Sequence, residues 1–280
     1  DDMPAMSVRV REIVEDARSH GLGPIDPDWM RTLGGSLLNE EEFEGDIEQI
    51  TQHAPSGVWG AVLSNGVKVF ARPVVEVQEA RIELSAMLSG TMFGDGTLGA
   101  TEVEAAMLAW RSPSSESRDA GWLAVFCETH EIEVQVRRVV GGLRLRVSAP
   151  IGAQEEALRL LYLLLDRPMI DAGVFAQWRQ ARGDDGAMEP IERGLALLYN
   201  PEYAAGNHGQ VPSLDDAQRV LSRIVRTAQI TVGITGEVDA GEMVERAGAM
   251  LGELAWREGD AGAAGKLELS AQGDRTCEIE

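Results

Sequence analysis

Cysteine is scarce in this sequence. Cys127 and Cys277 are the only two among 280 residues. They form no Cys-x-x-Cys, which excludes a zinc knuckle and a thioredoxin-like redox pair. Cys127 follows the apolar run Trp122-Leu-Ala-Val-Phe126 and reads as a buried thiol. Two cysteines leave the compartment open. Histidine is nearly as rare, with His20, His53, His130 and His208. None has a second histidine four residues away, and none pairs with glutamate in either order that helical zinc motifs use. A catalytic zinc normally takes three protein ligands, so this chain is expected to hold none. Positive charge is also in deficit. There are 25 basic against 46 acidic residues, a net charge of −21. Such a surface repels phosphate, which argues against a nucleic acid or an anionic membrane as partner. Long apolar runs are missing, since none reaches the roughly 18 residues of a membrane span. The start, Asp1-Asp2-Met3-Pro4, shows neither the basic nor the apolar region of a signal peptide.

The excess of acid fits a highly solvated surface. It also fits a negative wall that draws in basic peptides, or adaptation to salt. No Gly-x-Ser-x-Gly elbow and no Walker loop occurs. Gly94-Asp-Gly-Thr-Leu-Gly99 has the form Gly-x-Gly-x-x-Gly. The strand before it belongs to a hairpin meander, and no clean βαβ unit with a later acidic residue follows. It reads as a glycine turn between a strand and a helix.

What the sequence does have is concentrated between Trp59 and Met107. Two apolar runs, Trp59–Leu63 and Val67–Arg72, flank Ser64-Asn65-Gly66. Asn-Gly is the strongest short hairpin signal and predicts a turn with both residues at positive φ. A strand over Ala80–Leu88 follows, with Ile82, Leu84, Ala86 and Leu88 on one face. The glycine loop then leads into a helix over about 100–110.

This order, with Leu63-Ser-Asn-Gly-Val-Lys-Val69 and a helix bearing Ala105-Ala-Met-Leu108, resembles the start of a half-unit of the pitrilysin/insulinase-type zinc peptidases, the inverzincins. In the active half of that family the helix carries His-x-x-Glu-His. Placing the motif by its Met-Leu end sets Glu102, Val103, Glu104, Ala105 and Ala106 in its five positions. Both histidines are gone, and Ala105 stands where the general base would be. The resemblance therefore points to the half that has the fold without the zinc. Glu102 and Glu104, two apart on a helix, face different ways and read as a solvated face rather than a carboxylate pair.

The remaining chain extends the resemblance. Residues 4–20 and 26–33 read as helices and 34–57 as a polar linker. Together 1–58 fit the family's helical, then extended, connector between halves. Residues 59–256 read as one α+β domain, with a mixed or antiparallel sheet and helices packed on one face. It contains a helix over 119–128 and a hairpin over 131–147 that turns at Gly141-Gly142. A Leu-rich core helix over 153–165 and helices over 172–182 and 189–199 follow. Leu158–Gln180 is similar to the family's Leu-rich helix, Pro-containing link and Phe/Trp helix. Ser213, with Asp216 three residues on, predicts a capping box and a helix to about 226. A strand over 229–235 and a helix to about 251 resemble the family's closing pair. Residues 257–280 read as a tail or as the truncated start of a following domain.

The resemblance implies the non-catalytic, chamber-forming half, or part of it, of a zinc metalloendopeptidase. Zinc would sit in the catalytic half of the parent, with metal-bound water attacking the peptide. This chain alone would be inactive, with no catalytic or metal residue. Its substrate contacts are not assigned, because the family's contacts lie beyond where the sequence stops. Its partners would be the catalytic half, in the same polypeptide or another subunit, and a peptide substrate. The parent's compartment would be periplasmic or secreted, with a cytoplasmic one also open. The alternative is a stand-alone scaffold or binding module derived from the peptidase fold.

Overall fold

The computed structural model describes residues 37–38, 43–74, 80–93, 98–182 and 211–255. The chain divides into two compact units, 1–40 and 41–280. Apart from Leu37 and Leu38, the described residues all belong to the second. The helices expected at 4–20, 26–33 and 189–199, the Gly94–Thr97 turn and the 257–280 tail lie outside the described residues.

The second unit is built on one seven-stranded sheet, in the order β1-β2-β3-β7-β4-β6-β5. β1 is Ile47–His53, β2 Val58–Leu63, β3 Lys68–Pro73, β4 Arg81–Ser89, β5 Glu133–Val139, β6 Gly142–Pro150 and β7 Gln229–Gly236. β3 and β7 run parallel, and the other neighbours are antiparallel. The sheet is therefore mixed and the architecture α+β.

Strand alternation gives the sheet two unlike faces. Ile82, Leu84, Ala86 and Leu88 of β4 share a face with Leu143, Leu145, Val147 and Ala149 of β6, and all are fully buried. Val232 and Ile234 of β7 and Val69 and Ala71 of β3 continue that face. Helices cover it. α4 (Gln154–Asp166) packs on β4 and β6, and α7 (Ala240–Gly252) packs on β2 and β3. Leu158, Leu160, Leu161, Leu164 and Leu165 of α4 are fully buried, so its leucines are core. The opposite face is polar, with Lys68, Glu83, Ser85, Arg144 and Arg146 in register.

Three details depart from the sequence reading. Only Gly66, at φ 82°, has positive φ in the β2–β3 turn, and Asn65 does not. The Gly66 N–H donates to the Leu63 carbonyl at 2.9 Å, and the Leu63 N–H donates to that of Val67 at 2.9 Å. This is the three-residue hairpin form with a left-handed glycine, not the two-residue turn. The reason lies across the molecule. The Asn65 amide donates to the carbonyls of Leu251, Leu254 and Gly252, at 2.7, 3.1 and 3.2 Å, at the C-terminal end of α7.

Second, the sheet takes in residues that the linker reading of 34–57 left out. β1 pairs with β2 from Ile47↔Leu63 to His53↔Val58, so the domain begins before residue 59. Its alternation is broken by a bulge between Ile47 and Gln49, which hides the period-2 pattern. The strand reaches α7 because Gly45 and Gly252 allow close approach. A Cβ on Gly45 would lie 2.3 Å from the Ala249 oxygen and 2.6 Å from the Gly252 Cα.

Third, the helix expected over 100–110 breaks at Met107 into α1 (Ala100–Ala106) and α2 (Leu108–Arg111). The other helices follow expectation. They are α3 (Ala120–Thr129), α5 (Ala172–Arg182) and α6 (Leu214–Thr227). Ser213 and Asp216 form the capping box of α6. The Ser213 hydroxyl and N–H donate to the Asp216 carboxylate, and these bonds, with Arg219 nearby, hold its pKa below the ordinary value.

Candidate functional site

Glu102 to Ala106, the five residues onto which the sequence reading slides the motif, sit on α1 and are taken up by packing and ion pairs. The Glu102 carboxylate turns back to the start of its own helix, where it accepts from the Gly99 N–H at 3.0 Å. That capping interaction needs no metal. Val103, Ala105 and Ala106 are fully buried. Ala105, which the sequence reading sets at the general-base position, offers a methyl group to the core. α1 packs against α6.

Glu104 corrects the reading of a solvated face. Its side chain is only 18% exposed and ion-pairs with two arginines. Arg111 of α2 approaches it at 3.9 Å, and Arg182, at the end of α5, bonds it directly. The Arg182 side chain is 8% exposed and also lies over the Trp178 ring at 5.4 Å. Both contacts of the Glu104 carboxylate are thus ion pairs within the fold. The sequence carried no sign of this partner, because Arg182 is 78 residues away.

Trp110 completes the packing. It is fully buried, and its indole N–H donates to the Leu164 carbonyl at 2.8 Å in the last turn of α4. That carbonyl has no partner within its own helix. α2 is thus anchored to the Leu-rich helix.

The described histidines have local partners. His53 Nδ1 shares a hydrogen bond with Ser56 Oγ at 2.6 Å, and the His130 ring packs on Phe126 at 4.5 Å. His20 and His208 lie outside the described residues. Among the described residues no three His, Cys, Asp or Glu side chains gather as a metal site. Cys127 is a free thiol whose pKa burial pushes up to about 11. No described helix is long and apolar enough to cross a membrane.

With this geometry in place, comparison with solved structures gives the fold its name. No family model and no curated protein matches the sequence. Solved structures do. PqqL, a periplasmic protease of Escherichia coli, matches with a TM-score of 0.59 at 16% identity, over 80% of this chain and 26% of its own. The chain has the fold of a pitrilysin-type peptidase domain. An M16 peptidase inactive domain from Pseudomonas fluorescens matches with a TM-score of 0.53 at 14% identity, over 75% of this chain and 51% of its own. Pitrilysin itself matches at 0.51 with 15% identity, over 78% and 24% of the two chains. The chain thus spans about a quarter of the length of PqqL and of pitrilysin. At these identities the pitrilysin-type likeness is one of fold.

Proposed function

We propose that this chain is the non-catalytic, chamber-forming half, or part of it, of a zinc-dependent metallopeptidase. In this reading it encloses the peptide while the catalytic half cleaves it. One observation carries the reading. The helix on which the resemblance sets His-x-x-Glu-His carries, within a pitrilysin-type fold, a capping glutamate, an ion-paired glutamate and two buried alanines. The fold is kept and the chemistry is replaced by packing. The chain then binds no zinc of its own. The zinc and its activated water belong to the catalytic half.

The test is assembly. The chain is mixed with a catalytic half that carries His-x-x-Glu-His, and the product is read by native mass spectrometry with metal analysis. The expected product is a one-to-one complex with one zinc, all of it carried by the catalytic half. A chain that ignores the catalytic half and stays monomeric fits the second reading, a stand-alone binding module derived from the fold. Stoichiometric zinc retained by this chain after dialysis contradicts both.

A further inference from the structure

The open face of the sheet does not share the charge of the molecule. By register its cations are Lys68 and Arg72 on β3, Arg81 on β4, Arg144 and Arg146 on β6 and Arg137 on β5. Against them β3 to β7 place only two carboxylates on that face, Glu83 and Glu133. Both are already engaged. Glu83 binds Arg146 at 2.6 Å, and Glu133 lies 3.9 Å from Arg81. Lys68, Arg72, Arg137 and Arg144 have no carboxylate partner among the described residues. All but Lys68 are exposed. A chain of net charge −21 thus gathers, on one surface, cations without a carboxylate partner among the described residues.

The floor between these cations is low. One row across the sheet runs Gly60, Phe70, Gly233, Ser85. Two of its members lack a side chain, one has a short one, and Phe70 offers a half-buried ring. Strands lie about 4.8 Å apart, so the row Lys68, Thr231, Met87, Arg144, Arg137 spans about 19 Å. An extended peptide of about six residues covers that length. At physiological ionic strength the Debye length is about 8 Å, so a bound peptide senses these cations more than the acidic remainder of the surface.

We propose that this open sheet face is a docking surface for acidic peptide segments, which sets the substrate class of the chamber toward Asp/Glu-rich sequences. The binding is a property of this chain, while the claim that the bound segment is a substrate rests on the chamber reading above. It reverses the polarity that the overall composition suggests, a negative wall attracting basic peptides. The face prefers carboxylates because its free groups are guanidiniums and an ammonium. Arginines pair with carboxylates through two parallel hydrogen bonds.

The experiment uses the full chain and two fluorescein-labelled peptides of about eight residues, enough to span the cationic row. One alternates Glu with Val, and the other alternates Lys with Val. Anisotropy is read at 0.15 M and 1 M salt. Three chains are compared: the unaltered one, the Arg137→Glu/Arg144→Glu variant, and an Arg179→Glu/Arg223→Glu control with the same charge change on exposed helix positions. The altered residues are exposed, and thermal melts verify that each variant is folded. The acidic peptide is expected to bind in 0.15 M salt and to weaken about tenfold or more in 1 M salt. It should weaken similarly in the sheet variant and hold in the control. Stronger binding of the Lys peptide, equal loss in the control, or no binding of either peptide overturns the proposal. Peptide cleavage by an assembled enzyme with no acidic preference overturns this inference alone. Acidic-peptide binding by a chain that never joins a catalytic half overturns the chamber reading alone.

Discussion

Removing the Asn65 amide should loosen the β2–β3 turn from the end of α7. Asn65 is 7% exposed and joins the β2–β3 turn to the last turn of α7. Its amide has two hydrogens for three carbonyls, so the bonds at 2.7, 3.1 and 3.2 Å amount to two donations, one of them shared. Its carbonyl accepts from the Val67 N–H at 3.2 Å. Three net hydrogen bonds at about 1 kcal/mol each give about 3 kcal/mol for Asn65→Ala, with buried carbonyls left unpaired. Asn65→Asp is sharper, because a carboxylate would face three carbonyl oxygens. Its folded-state pKa must rise above the unfolded value of about 3.9, at about 1.4 kcal/mol per unit. The deficit is full above the raised folded pKa, shrinks as pH falls through it, and is gone below the unfolded pKa, where both states are protonated and the acid can donate again. Urea unfolding of the two variants and the unaltered chain at pH 7 and pH 5 measures this. An Asn65→Ala loss under 1 kcal/mol, or an Asn65→Asp deficit that does not shrink on acidification, refutes the capping account.

Three other variants test the Glu104 ion pair and the Cys127 thiol. Glu104→Gln should destabilise by about 2–4 kcal/mol, because it leaves the guanidinium of Arg182 nearly buried and uncompensated. The double change Glu104→Leu with Arg182→Met should recover most of that in chemical denaturation, since an apolar pair of similar size replaces the charges. Cys127 is protonated in the fold well beyond the pH at which it ionises when unfolded, with a pKa of about 11 against 9.0. Its effect on stability is therefore nil below pH 9 and grows unfavourable as pH rises toward 11, by about 2–3 kcal/mol. Cys127→Ser should remove that alkaline component, as read by melts at pH 8 and pH 10.5.

Much of the fold was legible because most elements carry local signals. The strict alternation of β4 and β6, the Ser213–Asp216 capping box and the Leu-rich stripe of α4 each specify an element from a few neighbouring residues. β1 was not legible, because its bulge breaks the period and its place at the sheet edge leaves half of it polar. The hairpin turn was located correctly and its geometry was not, since Asn65 answers to α7, nearly two hundred residues later. The same limit applies at the candidate site. The absence of both histidines could be read directly, but the fate of Glu104 depends on Arg182 from another helix. The basic sheet face was hidden for a related reason. Its cations lie on four strands separated in sequence, and only the register brings them onto one surface inside a chain that is acidic overall.

The central claim is that this chain completes a peptidase without supplying its chemistry. Peptide hydrolysis by the catalytic half, measured alone and with one equivalent of this chain, tests it most directly. The account predicts no cleavage by this chain with or without added zinc, and a rise in kcat/KM of the catalytic half once the two are joined. Zinc-dependent cleavage by this chain alone, or a catalytic half equally active in its absence, would contradict it.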